Sequence, residues 1–169
     1  MINHEEIIKR IELIPHPEGG YYREVYRSEE NIISNQLPDR YNSKRSFSTS
    51  IYYMLVKEQI SVFHKLKSDE IWHFYHSSPL HIHLLDAKSG YKKLKLGNNL
   101  IAVEIPQFVI PKGTFFAAEV VDKKSFTLIG CTVSPGFEFA DFEFGIADQL
   151  LKQFPQQKEL IIRLSKKDE

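Results

Sequence analysis

An imidazole and a carboxylate separated by five intervening residues, His64 and Glu70, sit in the runs Val62-Phe63-His64-Lys65-Leu66 and Glu70-Ile71-Trp72-His73-Phe74. Side chains alternate faces along a strand, so Val62, His64 and Leu66 point one way, and Glu70, Trp72 and Phe74 share a face of the next strand. As hairpin neighbours, the two strands bring His64 and Glu70 within reach of each other. Neither group is cheap to bury alone on an apolar face. Two outcomes follow: a hydrogen bond that merely stitches the strands, or an open pocket between them in which the pair handles a proton. A second cluster, Pro111-Lys112-Gly113-Thr114-Phe115-Phe116, is a turn that sets the next side chains at the start of a strand.

The other reactive side chains advertise less. His81 and His83 share a strand face, but Leu85 continues it and two histidines fall short of a metal's three or four ligands, so both are expected at the surface. His73 alternates away from Glu70, and His76 falls at a strand end. Turn and capping roles are expected for His4 and His16. Cys131 lies in an apolar run and is expected to be a buried, inert thiol.

These groups must be positioned by β-structure. Segments 21–26, 46–56, 60–66, 70–76, 80–86, 91–96, 101–105, 108–110, 115–121 and 125–133 are rich in aromatic and β-branched residues and are separated by turn residues. Short strands at this spacing predict a sandwich or barrel. An N-terminal helix is predicted from Asn3 as cap, Glu6 three residues on, and Ile7, Ile11 and Ile14 on one face, with Pro15 ending it. The run His16-Pro17-Glu18-Gly19-Gly20 is a turn, residues 29–44 are a loop, and helical patterning returns over 146–154 and 158–164.

Twenty-two Lys plus Arg balance 22 Asp plus Glu, so the chain lacks the basic excess of a nucleic-acid or acidic-membrane binder; the short tail Lys166-Lys167 is expected to be solvated. No apolar run approaches the roughly 20 residues that span a bilayer. A lone cysteine and no signal-like N-terminus point to a cytoplasmic protein without disulfides. The unusual quantity is an aromatic content of 12%, which suits both β-structure and the walls of a ligand pocket.

His64, Glu70 and then Pro111-x-Gly113 resemble the two motifs of the cupin superfamily. The segments 15–22, 48–53, 63–75, 111–119 and 130–137, in that order, are similar to a single-domain cupin family of unknown function. The resemblance implies an all-β, cupin-type jelly-roll β-barrel with an N-terminal helix and short C-terminal helices. One domain is expected over 1–169, with the barrel core at about 20–145 and a helical segment at 146–165. In such motifs a second histidine would stand at position 66 and a third at 116; here these are Leu66 and Phe116. One histidine and one glutamate hold a transition metal weakly, so no metal and no cofactor are expected. Glu119 could join the site only through a bulge, since in a regular strand it points away from Phe116.

The similarity of metal-free cupins to sugar-nucleotide epimerases implies one chemistry: His64 as general base, Glu70 orienting it, and Tyr53 as proton donor. Arg23, Arg27 and Arg45 are the candidates for holding a diphosphate. The alternative is a non-catalytic module that binds a small molecule in the same pocket. For either, Tyr22, Trp72, Phe74, Phe116, Glu119 and Phe137 are the expected ligand-binding set. A metal-dependent oxygenase or isomerase is a further alternative. A homodimer is expected, because a two-fold partner can cover an open sheet edge near residues 21–26.

Overall fold

The computed structural model describes residues 3–166. Both ends of the expected 1–169 domain, Lys167 among them, lie outside the described residues. The chain runs through α1 (His4–Arg10), β1 (Ile14–Pro15), β2 (Tyr21–Arg27), β3 (Asn31–Ile32), β4 (Arg45–Ser46), β5 (Thr49–Val56), β6 (Ile60–Leu66), β7 (Asp69–Ser77), β8 (Leu80–Asp86), β9 (Gly90–Leu96), β10 (Gln107–Ile110), β11 (Phe115–Val120), β12 (Phe126–Ser134), β13 (Phe142–Phe144), α2 (Ala147–Gln153) and α3 (Lys158–Leu164).

Two antiparallel sheets carry the fold, in the orders β1-β2-β5-β12-β7-β10 and β13-β6-β11-β8-β9, while β3 pairs β4 separately. From β5 to β12 the chain crosses between the sheets at every step except the β8–β9 hairpin, giving the interleaved order of a jelly roll. The sheets do not close on one another, so the expected barrel is corrected to a sandwich. Short edge strands such as β10 and β13 offer too little backbone to seal the gap; an isolated bridge between Leu96 and Ile105 joins the β9 edge to the segment leading to β10.

Between the sheets lie Leu55, Trp72, Leu80, Ile82, Phe116, Ala118, Val120 and Ile129, all buried. Helices cover both outer faces. Residues Leu150, Ile161 and Leu164 of α2 and α3 pack on Phe63, Leu85 and Ala117 behind the five-stranded sheet. Ile7, Ile8 and Ile11 of the N-terminal helical segment pack against Leu13, Met54, Val56 and Phe126 behind the other. Central strands buried on both faces therefore read as continuous apolar runs, as in Tyr53-Met54-Leu55-Val56.

Two local expectations fail for identifiable reasons. Residues 101–105 are not a strand: the Asn99 side chain accepts the Ala102 N–H and the Glu104 carboxylate accepts the Asn99 N–H, holding a 3₁₀ turn with Val103 at φ 59°. His83 is not at the surface, because α3 covers its face of β8. Its Nε2 lies 3.1 Å from Glu119 and its Nδ1 2.9 Å from the Tyr91 hydroxyl.

Candidate functional site

The connection between β6 and β7 is two residues, Lys67 and Ser68, and it crosses from one sheet to the other. His64 and Glu70 are therefore not hairpin neighbours. They stand on opposite walls of a cavity of about 280 Å³ at one end of the sandwich.

His64 pairs across the sheet with Phe116, while Ser61 pairs with Ala118, so β6 carries one extra residue between them. That bulge breaks the simple alternation and turns both Ser61 and His64 toward the Pro17-Glu18-Gly19-Gly20 turn. The turn is pinned from three sides: Val62 N–H donates to Glu18 O at 3.0 Å, Tyr53 O–H to Gly19 O at 2.8 Å, and Gly19 N–H to His16 O at 3.0 Å. Gly19 sits at φ 110°, and a Cβ there would overlap the Ile60 carbonyl, so glycine is required for this close approach.

So held, Glu18 becomes the partner of the imidazole. Its Oε2 lies 3.0 Å from His64 Nε2, and its Oε1 accepts the Ser61 hydroxyl at 3.0 Å. His64 Nδ1 is 2.7 Å from Val62 O, which can only accept, so Nδ1 carries the proton and Nε2 is a bare lone pair. The Nε2–Glu18 contact then needs one further proton, on either atom. Burial holds His64 down to about 4 and pushes the Glu18 carboxyl up, with the Ser61 and Tyr53 hydroxyls and His16 offsetting part of that rise. Both directions favour the neutral arrangement, Glu18 O–H donating to His64 Nε2.

Glu70 has no such partner. Its Oε2 is buried without a hydrogen bond, and so is Nε1 of Trp72, two residues along the same face of β7. Burial first, and the nearby Glu18 second, push the Glu70 carboxyl up to about 8, with Trp72 and Cys131 offsetting part of the rise. At pH 7 it is a protonated acid aimed into the cavity. Glu70 therefore does not orient the imidazole; Glu18 does.

The other expected residues are distributed as follows. Tyr53 lines the cavity, but its proton is committed to Gly19 O, and burial raises its phenol well above the usual range. Tyr22 and Phe137 form walls. Trp72, Phe74 and Phe116 do not: they fill the sandwich behind the cavity, with Trp72 5.8 Å from Phe116 and 6.1 Å from Tyr53 between ring centres. Phe116 instead backs His64 at 4.0 Å, while Phe142 stacks on the other face of the ring at 4.9 Å. Glu119 lies outside the sandwich, on the Ala117 face of β11, where Arg163, Lys123 and His83 hold it; against the upward push of burial, Arg163 and Lys123 draw its carboxyl well down. The register shift in the β6–β11 pairing does not bring it round.

Of the three arginines, Arg45 is buried against Asp141, Arg23 pairs with Glu12 on the surface, and only Arg27 lines the cavity. It is already spent on Glu24 and Glu138, each at 2.8 Å. The sequence expectations omit several residues that line the cavity, among them His16, Glu18, Glu138 and Phe139. For Glu18 the available signal was a carboxylate inside a Pro-x-Gly-Gly turn, which forces close backbone approach to whatever it faces.

Fold and site together define a cupin, and the comparisons agree. Residues 5–145 match the family described as Cupin superfamily (DUF985), and the chain belongs to it. An uncharacterized protein of Saccharomyces cerevisiae, YML079W, is 31% identical over 157 residues, covering 88% of this chain and 78% of its own. The crystal structure of protein SO0799 from Shewanella oneidensis is 38% identical with a TM-score of 0.88, covering 99% of this chain and all of that one. A hypothetical protein from Leishmania major is 30% identical, also with a TM-score of 0.88, over 98% of this chain and 100% of that chain.

The side chains do not fit the metal that cupin motifs imply. Leu66 is buried and lines the cavity, Phe116 packs on His64, and the lone pair of His64 is taken by Glu18. Among the described residues no group of three or more His, Cys, Asp or Glu is arranged around a common point. Nor, among them, is any helix long and apolar enough to cross a membrane.

Proposed function

We propose that the chain binds a small keto or sugar-like molecule and moves a proton on it without a metal, as isomerases and epimerases do. The observation that carries this reading is the buried, unpartnered Glu70 carboxyl on the wall opposite the Glu18–His64 pair. Environments that hold one acid protonated and tie another to an imidazole are how acid and base roles are separated at neutral pH. The Glu18 proton passes to His64 Nε2, and the freed Glu18 carboxylate takes the proton from the carbon next to a carbonyl. Glu70 donates its proton to the carbonyl oxygen. Return of a proton to carbon from the same groups completes the isomerisation.

Cavity size and charge narrow the ligand. About 280 Å³ lies at the small end of ligand cavities, which run from about 300 to 1,000 Å³, and accepts one ring or a short chain. With Arg27 engaged, no free cation among the described residues lines it. The diphosphate of a sugar nucleotide therefore gains no support from this cavity.

In D₂O, a panel of unphosphorylated ketoses and keto-sugars followed by proton NMR is expected to exchange its α-proton for deuterium. Both Glu70→Gln and Glu18→Gln should slow this by roughly 10²–10⁴-fold. Failure of the whole panel to exchange favours the second reading, a non-catalytic binding module. That reading draws on the enclosure of His64 between Phe116 and Phe142.

We also propose a homodimer built on the open edge of β2, where β1 pairs only Tyr21 and Tyr22 and leaves Val25 and Tyr26 exposed. Light scattering after size exclusion should give twice 19.7 kDa at micromolar concentration; a monomer there contradicts it. The single thiol, Cys131, is buried and shifted well up by desolvation, which suits the cytoplasmic reading.

A further inference from the structure

Beside the cavity, sharing Leu66 and Phe142 as a common wall, lies a second concavity of about 330 Å³. Arg40, Lys65, Lys67 and Lys112 line it against Asp141 and Glu143. Both carboxylates are already neutralised. Asp141 takes two 2.6 Å hydrogen bonds from Arg45, and Glu143 takes Lys65 at 2.9 Å. Lys67 reaches Asp141 only at 3.6 Å and Lys112 reaches Asp69 only at 4.0 Å. Among the described residues no carboxylate ion-pairs with Arg40.

Arg40 is nonetheless held in place. Its Nε donates to Lys67 O at 2.9 Å, and its guanidinium lies 4.7 Å over the Tyr41 ring. Tyr41 in turn bonds Ser68 at 2.8 Å, tying this loop to the β6–β7 crossover. One edge of the planar fork is thereby fixed and the other left for a ligand, an arrangement suited to an oxyanion.

We propose that this groove binds a small oxyanion, a phosphate or carboxylate group, through Arg40, Lys67 and Lys112. It does not rest on the proton-transfer reading. The oxyanion is either free in solution or carried by the molecule whose neutral part occupies the neighbouring cavity.

The test is a titration of the full chain with inorganic phosphate at low ionic strength, followed by amide NMR. Saturable shifts are expected in residues 40–45, 66–68 and 111–113. Arg40→Gln and Lys112→Gln, both at exposed positions, should each weaken binding about tenfold, the worth of one charge-assisted hydrogen bond. Lys152→Gln, exposed on α2, should leave it unchanged. Shifts that never saturate, or equal weakening by Lys152→Gln, would overturn the proposal. A ketose and its phosphate ester then separate the two sources. If the ester binds more tightly than phosphate and loses that gain in Glu70→Gln, the anion belongs to the cavity ligand; equal affinities assign a free anion.

Discussion

Glu70→Gln is expected to stabilise the protein at pH 8 and to leave its stability near pH 4.5 almost unchanged. Burial and the nearby Glu18 raise this carboxyl to about 8 from 4.5. Above pH 4.5 the unfolded chain sheds the proton while the folded chain keeps it, so stability falls as pH rises to about 8 and then levels off. The cost at the top of that window is roughly 3–5 kcal/mol, whereas a buried amide costs about as much as the protonated acid it replaces and does so at every pH. A gain of roughly 3–5 kcal/mol at pH 8 should appear in urea unfolding. His64 and His83, both held down to about 4, impose the opposite slope between pH 4 and 6.5. They do so in both proteins, so the difference between the curves isolates Glu70. A difference that does not vary with pH would mean that Glu70 ionises normally, and would remove the acid from the proposed reaction.

Arg45→Met is expected to be the costlier change, by about 3–5 kcal/mol, because it leaves a buried carboxylate without its partner. Arg45 is 1% exposed and Asp141 4%, and the two are joined by paired bonds of 2.6 Å. Arg45 also donates to the carbonyls of Ser43 and Lys44, so it anchors the loop that presents Arg40 as well as the segment that carries Phe137, Phe139 and Phe142. The double variant Arg45→Met/Asp141→Leu should recover most of the loss, since the charge that made it costly is gone. Chemical denaturation of both variants against the parent decides this. A loss below about 1 kcal/mol for the single variant would mean the pair behaves as a surface ion pair.

Strand positions were legible in the sequence wherever aromatic and β-branched residues ran together between turns. The residues 80–86 and 60–66 form strands with the expected bounds. What periodicity could not convey was which sheet each strand joins. Nothing in Lys67-Ser68 separates a tight hairpin from a crossover, so His64 and Glu70 were placed side by side although they face each other across the interior. The bulge in β6 was equally hidden, because an extra residue leaves no mark on composition while it reverses the face of everything beyond it. Glu18 escaped for a different reason: turns are read as connections, and the side chain that completes the His64 site hangs from one. His83 was misplaced because alternation shows which residues share a face and not what covers that face, here the helix α3.

The two-residue crossover sets the spacing of acid and imidazole. Since acid and imidazole are mounted on separate sheets, their spacing equals the thickness of the sandwich, roughly 10 Å between backbones, less the reach of the side chains. The layer of Trp72, Phe116 and Ile129 acts as a shim that sets this width from behind. Trimming a shim residue narrows or loosens the slot without touching whatever lies in it, so on the proposed reading the tolerance for ligand thickness is written into the hydrophobic layer and not into His64, Glu18 or Glu70.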